Sequence, residues 1–177
     1  MLLDWYQSAL SLIDMRSFSN LWYWVGLAVM WSSLSHYILG VPFDMVQRAR
    51  RQKGEAMADL EAMVDVQVRR QLNILQAGGT WVVMFWAAML TTFVILGFGY
   101  RIEVAQALAL MLVPMTGVLA LGFRLARKLQ AEAPHGEALT RRLVWHRLTI
   151  QIIGLISILI TAIWGMWYTL SLSVLGR

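Results

Sequence analysis

Two of the three histidines in this 177-residue chain lie near the ends of long apolar segments, where an imidazole can bind a b-type haem or a metal ion. His36 lies inside the end of the first apolar segment, and His146 lies just before the start of the last one. At ~1.5 Å per helical residue, their depths differ by roughly 8 Å, which disfavours one shared haem. We therefore expect histidines that lie at an interface or form local hydrogen bonds, with haem binding as a lesser alternative.

The residue types in the sequence give little support for other kinds of chemistry. The chain has no cysteine, which excludes disulfides, thiolate metal sites, covalently attached c-type haem and a cysteine nucleophile. No Ser-His-Asp spacing, glycine-rich phosphate loop or paired carboxylate stands out, and the acidic residues cluster on one helix face. The sequence predicts a protein that is not an enzyme and that holds no cofactor or metal.

Four long apolar segments would position these residues, at approximately 21–41, 80–98, 104–123 and 148–171. Each is close to the ~20 residues that a helix needs to cross a bilayer, and none has a charged residue at its centre. The chain is 59% hydrophobic, with a mean hydropathy of +0.60. We predict an all-α integral membrane protein, with residues 1–177 forming a single membrane domain of four transmembrane helices.

Two further helices are predicted outside the spans. Apolar residues recur at helical spacing over residues 2–13, which indicates an amphipathic helix lying in the outer headgroup layer; no cleaved signal peptide is expected. A second amphipathic helix, over residues 55–76, leads into the second span. Its apolar face consists of Met57, Leu60, Val64, Val68, Leu72 and Leu75. Gly78 and Gly79 permit a bend before the span, although one continuous helix is the simpler interpretation.

Basic residues predict the orientation. Of the fifteen Lys and Arg residues, twelve lie in the two segments 42–79 and 124–147. The positive-inside rule places both of these loops in the cytoplasm and both termini in the periplasm. Ten of these residues are predicted to bind the headgroups of anionic lipids: Arg48, Arg50, Arg51, Lys53, Arg124, Arg127, Lys128, Arg141, Arg142 and Arg147. Nucleic acid is not expected as a partner, because the basic residues adjoin span ends and acidic residues offset part of the first loop's charge.

Small residues on the fourth span predict a close helix contact. Gly154, Ser157, Thr161 and Gly165 follow one another at spacings of three, four and four residues, which allows another helix to approach. The candidates for the facing surface are Ala28, Ser32, Ala88, Thr92 and Gly117. The sequence leaves open whether this contact forms within the chain or with another subunit.

Polar residues inside the spans are few and uncharged, among them Ser33, Gln106, Thr116 and Gln151. A pump or an ion-coupled carrier usually places an ionisable group along its path. A small channel or transporter is therefore the weaker alternative. The leading hypothesis is a non-catalytic accessory or structural subunit of a larger bacterial inner-membrane complex, which packs on other integral membrane subunits and binds anionic lipids.

Four short segments resemble a known family: IDMRSFSNLWYW at 13–24, VMWS at 29–32, GVPFD at 40–44 and RARR at 48–51. They resemble small uncharacterised inner-membrane proteins of Rhodobacter-type alphaproteobacteria, often labelled as a component of the iron-sulfur assembly (Suf) complex. The resemblance covers the first third of the chain best. It implies a bacterial inner-membrane protein and identifies no catalytic residues.

Overall fold

The computed structural model describes residue 18 and residues 20–174, with side chains as far as residue 171. The predicted interfacial helix at 2–13 lies outside the described residues. The elements are α1 (Leu21–His36), β1 (Tyr37–Ile38), β2 (Val41–Pro42), α2 (Phe43–Gln52), α3 (Gly54–Val94), a π-helical turn (Ile95–Gly99), α4 (Glu103–Glu132) and α5 (Gly136–Val174). The described part is almost entirely helical, as predicted.

Among the described residues, three helices are long and apolar enough to cross a membrane: α3 with its π-helical turn, α4, and α5 as far as Ser171. Their most apolar windows have mean hydropathies of 2.1, 2.0 and 2.1. The coarse prediction of an all-α protein with membrane-spanning helices is confirmed. Helix α1 has 16 residues and is therefore ~24 Å long, short of the ~30 Å hydrocarbon layer.

The first predicted span, 21–41, is wrong in its second boundary, because α1 ends at His36 and a tight hairpin follows. Tyr37 pairs with Pro42 and Ile38 with Val41. The two-residue turn between the strands, Leu39 and Gly40, has φ values of 55° and 84°. Positive φ at both positions characterises the type I′ turn that joins two antiparallel strands, and such values cannot continue a helix. The hydrophobic side chains of Ile38 and Val41 are buried in the protein core instead.

The three long helices extend well beyond the predicted spans. Helix α3 runs for 41 residues and is continuous through Gly78 and Gly79, so the predicted amphipathic segment and the second span form one helix. Helix α4 reaches Glu132 and α5 begins at Gly136. Most of the predicted loop 124–147 is therefore helical, and its turn is confined to 133–135, where Ala133 adopts the left-handed conformation that ends α4.

Residues from both predicted loops bury their apolar side chains together, in what we call the loop-side core. It consists of Ile38, Leu39, Val41, Phe43, Val46, Ala49, Leu60, Val64, Val68, Leu72, Ala126, Leu129, Leu139 and Leu143. The stripe of α3 that the sequence predicted to be apolar supplies Leu60, Val64, Val68 and Leu72, which are all buried. One core therefore contains residues from 42–79 and from 124–147.

A second, smaller cluster holds the apolar parts of three helices together, and we call it the span core. Its buried residues are Leu27 and Trp31 of α1, Val118 of α4 and Ile150 of α5. Tyr23, Met111 and Ile153 are among the partly buried residues packed against it. Helix α3 contributes nothing to this cluster among the described residues, so its apolar half lies beside the other helices rather than among them.

Candidate functional site

The predicted small-residue stripe of α5 forms a contact within the chain, against α1 and against Phe18, which lies three residues before α1. A Cβ atom at Gly154 would lie 2.8 Å from Cε3 of Trp31, and one at Gly165 would lie 3.2 Å from Phe18. Ser157 and Thr161, between the two glycines, are buried. The glycines therefore make room for aromatic rings, which is how α1 approaches α5 closely.

The residues predicted to face this stripe do not face it. Ala28 and Ser32 of α1 are exposed, as are Ala88, Thr92 and Gly117 on the other helices. Trp31 and Phe18 occupy the space instead, because a large ring fills the gap left by a glycine better than another small residue does. The prediction assumed that small residues pair with small residues. It therefore did not identify Trp31 and Phe18 as the contact residues.

Among the described glycines, the closest approach to another part of the backbone joins the π-helical turn after α3 to the start of α4. A Cβ atom at Gly97 would lie 2.7 Å from the backbone nitrogen of Gln106. The buried Gln106 side chain donates to the carbonyl oxygen of Gly97 at 2.8 Å and accepts from Nε1 of Trp164 at 3.1 Å. The sequence singled out Gln106 as a polar residue inside a span but gave no indication of its contact with Gly97, although both residues flank the short connection that defines the hairpin.

At the same end of the molecule, hydrogen bonds attach the start of α1 to α4. The backbone nitrogen of Phe18 donates to the Glu103 carboxylate at 3.0 Å, and the hydroxyl of Tyr23 donates to the carbonyl oxygen of Ala107 at 3.1 Å. Nε1 of Trp24 donates to the carbonyl oxygen of Phe18 at 3.0 Å. The side opposite the loop-side core is therefore held by polar contacts and aromatic rings.

The apolar half of α3 has the least internal packing of the three long helices. In its most apolar window 6% of the residues are buried inside the protein, against 28% in α4 and 28% in α5. Trp86 faces α4 and donates to the hydroxyl of Thr116 at 2.8 Å. The opposite side is exposed, and we call it the α3 outer face. Its residues are Trp81, Met84, Ala88, Thr92 and Ile95.

The basic residues of the first predicted loop are partly neutralised. Arg48 lies 3.9 Å from Asp59, and Arg69 lies 3.0 Å from Asp65. Lys53 lies 3.1 Å from Glu137, which belongs to the second predicted loop. These pairs join exposed side chains, so each contributes little to stability, but each balances a positive charge.

The sequence predicted that Arg147 binds lipid headgroups. In the structure its side chain packs inward instead. Its guanidinium lies 3.6 Å from the centre of the Phe43 ring, and Phe43 belongs to the loop-side core. The position fits a cation–π contact, in which the flat guanidinium covers the ring. Arg147 therefore joins α5 to α2.

A groove lined by basic side chains lies between the end of α4 and the start of α5. It has a volume of ≈ 810 Å³, and Arg124, Arg127, Lys128, Arg141 and Arg142 line it. Its one carboxylate, Glu132, forms an ion pair with Arg142. The hydrogen bond and the charge of Arg142 hold the pKa of Glu132 below its usual value, so the carboxylate is ionised at neutral pH.

The two histidines proposed as haem ligands lie in different surroundings. His36 is exposed and makes an edge contact with the Tyr37 ring, with the ring centres 4.9 Å apart. His146 is half-buried and lines an apolar cleft of ≈ 250 Å³ that Tyr37 also lines. The cleft is smaller than the ~300 Å³ at which small-molecule sites begin, and His146 also lines the larger basic groove. Among the described residues, no three His, Asp or Glu side chains come together in a way that could hold a metal ion.

The contacts thus identify three surfaces: the α1–α5 contact inside the chain, the exposed α3 outer face, and the basic groove. Comparison of the chain with protein-family models, curated proteins and solved structures finds no match.

Proposed function

We propose that this protein is a non-catalytic accessory or structural subunit of a larger bacterial inner-membrane complex, and that the α3 outer face binds another membrane subunit. The observation that carries the proposal is the low internal burial of α3, 6% in its most apolar window against 28% in α4 and in α5. A helix that packs so little within its own chain has its surface available to a partner.

The composition of the α3 outer face supports a helix as the partner. Ala88 and Thr92 are one turn apart between the larger Met84 and Ile95, so a second helix can approach the backbone there. The hydroxyl of Thr92 donates to the carbonyl oxygen of Ala88 at 2.8 Å. Its polar hydrogen is therefore satisfied within the helix and needs no partner from the surroundings. In a membrane, where burial of apolar surface does not drive helices together, such small residues favour association.

The proposed topology has four spans, with α1 as the first. Helix α1 packs along α5, with Trp31 beside Gly154 and with Phe18, three residues before α1, beside Gly165. Its residues therefore share the depth of the apolar part of α5, although α1 is shorter than the others. The π-helical turn and the connection at 100–102 join α3 to α4 as an antiparallel hairpin. An even number of spans then leaves both termini on one side.

The proposed orientation places the loop-side core in the cytoplasm. Both predicted loops contribute to that core, and together they contain twelve of the fifteen basic residues. The positive-inside rule assigns the side rich in Lys and Arg to the cytoplasm, and both termini then lie in the periplasm. The bacterial inner membrane is proposed from the family resemblance of the first third of the chain.

Two of the polar residues within the spans, Gln106 and Thr116, support a packing role over transport. Gln106 bonds to Gly97 and Trp164, and Thr116 accepts from Trp86 and donates to the carbonyl oxygen of Leu112 at 2.8 Å. These groups connect helices to one another. A path for ions or polar solutes would need such groups to face a water-filled space instead.

The test is purification in a mild detergent, with a matched pair of variants. We expect the protein to co-purify with a fixed ratio of at least one other membrane polypeptide. Ala88→Leu puts a bulky side chain at the centre of the α3 outer face and should lose that polypeptide. Ala87→Leu makes the same change on an exposed position of the adjoining side of α3 and should retain it. A monodisperse monomer with no co-purifying subunit, or equal loss in both variants, would refute the proposal.

A further inference from the structure

The groove between α4 and α5 carries more positive charge than its surroundings neutralise. Five cationic side chains and one carboxylate line it. Glu132 pairs with Arg142, whereas Arg124, Arg127, Lys128 and Arg141 form no ion pair with any described residue. In the first predicted loop, Arg48, Lys53 and Arg69 each have an acidic partner, whereas Arg50, Arg51 and Arg70 have none among the described residues and do not line this groove. The groove is thus a concave region whose field attracts an anion.

The groove is continuous with an apolar stripe that runs down α5. Trp145 and Thr149 line the groove, and Ile152, Ile156, Leu159 and Ile163 follow at spacings of three or four residues, which puts them on the same side of the helix. Each of these four aliphatic side chains is about half exposed. A single helix face is therefore basic at one end and apolar along the rest, with a tryptophan at the boundary.

On the α4 side, the structure leaves room beside this stripe. Leu121 lines the groove, and Gly117 lies one turn deeper on the same side of α4. A Cβ atom built at Gly117 has no atom within 4 Å. The groove is therefore followed, one turn deeper, by an exposed stretch of α4 backbone on which no other part of the described chain packs.

We propose that the α4–α5 groove is a binding site for an anionic phospholipid, with the phosphate at the basic residues and an acyl chain along the α5 stripe. Guanidinium groups suit this role because they can donate two hydrogen bonds to one phosphate. Basic pockets between transmembrane helices on the cytoplasmic side have the position that such headgroups occupy. A soluble acidic peptide would use the basic end alone and leave the apolar stripe without a function.

The site deepens the proposed function. It rests on the proposed membrane placement of α4 and α5, and it does not depend on the subunit role. The assay uses the purified chain without a partner. A negative result would therefore not test whether the α3 outer face binds a subunit, which the co-purification experiment addresses separately.

The experiment measures binding of phosphatidylglycerol to the full chain in mixed micelles whose other lipid is phosphatidylcholine. Arg124→Gln with Arg141→Gln should weaken binding by about tenfold or more, since each basic residue near the surface contributes to attraction. Arg127→Gln with Lys128→Gln removes the same charge from the same groove and should act similarly. The control, Arg69→Gln with Arg70→Gln, removes the same charge from two exposed cations of α3 that do not line the groove and should change binding less than about twofold.

A second arm separates a lipid from a free phosphate. Gly117→Leu fills the apolar part beside the groove and should weaken phosphatidylglycerol binding while leaving binding of inorganic phosphate unchanged. If the groove variants and the control lost phosphatidylglycerol binding equally, the attraction would be nonspecific and the proposal would be overturned. Inorganic phosphate that binds as tightly as the lipid, or lipid binding that is insensitive to Gly117→Leu, would overturn it as well.

Discussion

The loop-side core and the span core share helices α4 and α5 but are built differently. The loop-side core contains fourteen buried residues, nearly all of them aliphatic, and takes them from the hairpin and from α2 to α5. The span core contains four buried residues from α1, α4 and α5. Around the span core, contacts depend on glycines that receive aromatic rings and on hydrogen bonds such as those of Gln106.

The difference follows from the solvent on each side. In water, removal of apolar surface from the solvent stabilises a fold by ~25 cal/mol per Å², so aliphatic residues cluster. In a bilayer the lipid tails are as apolar as leucine, and helix contacts depend on close packing and hydrogen bonds. Helix α3 crosses both regions, and its stripe from Leu60 to Leu72 is buried while its residues from Trp81 onwards are mostly exposed.

The largest expected effect comes from the loop-side core. Leu60 is fully buried there, and Leu60→Ala should lower the free energy of unfolding by about 2–5 kcal/mol. Leu155 is 70% exposed on α5, and Leu155→Ala should change it by less than about 0.5 kcal/mol. Detergent-induced unfolding followed by tryptophan fluorescence gives both values. Similar losses in the two variants would remove the distinction between the regions.

A smaller loss is expected at the α1–α5 contact. Gly154→Ala puts a methyl group 2.8 Å from the Trp31 ring and should destabilise the protein by about 1–3 kcal/mol. Gly78→Ala is the matched change on α3, where no atom lies within 4 Å, and it should stabilise the helix by up to about 1 kcal/mol. The same unfolding measurement checks the opposite signs. A neutral Gly154→Ala would mean that α1 does not pack on α5 at this residue.

The Gln106 hydrogen bonds should contribute somewhat less. Gln106→Leu removes the bonds to Gly97 and Trp164 and should cost about 1–2 kcal/mol, given ~0.6–1.7 kcal/mol for each polar contact between membrane helices. Gln151→Leu is the control, because Gln151 is exposed within the fourth predicted span. Its replacement should cost nothing. Equal behaviour of the two variants would show that the hairpin does not depend on Gln106.

The smallest change is expected at Ser157, whose buried hydroxyl has no hydrogen-bond partner among the described residues. Ser157→Ala should leave the free energy of unfolding unchanged or raise it by up to about 1 kcal/mol, because an unpaired polar group is removed. Thr161→Val is the comparison, since the Thr161 hydroxyl donates to the carbonyl oxygen of Ser157 at 2.8 Å. A marked loss in Ser157→Ala would reveal a partner for this hydroxyl.

The sequence predicted what depends on pattern within one helix. Hydropathy identified the apolar parts of α3, α4 and α5, and the helical period identified Leu60, Val64, Val68 and Leu72 as a buried stripe. The sequence did not predict the hairpin after α1, whose turn has two positive φ values. The hydrophobic residues Ile38 and Val41 were assigned to the span instead.

Contacts between helices were harder to predict. The small-residue stripe on α5 was recognised, but its partner was assigned to small residues such as Ala28 and not to Trp31. The site at Gly97 and Gln106 was missed because it depends on how closely two backbones approach, which residue spacing does not encode. The charge pattern grouped both loops on one side, but the difference between paired and unpaired basic residues required the fold.

The most direct test of the proposed subunit role is a site-specific photo-crosslinking scan of residues 81–95 in native membranes. The adduct with another subunit should be strongest at Trp81, Met84, Ala88, Thr92 and Ile95, and weakest at Trp86, Leu90 and Phe93, which lie on the side of α3 toward α4. This helical period in the yield would establish the α3 outer face as the contact surface. Uniformly low yields at all these positions would contradict it.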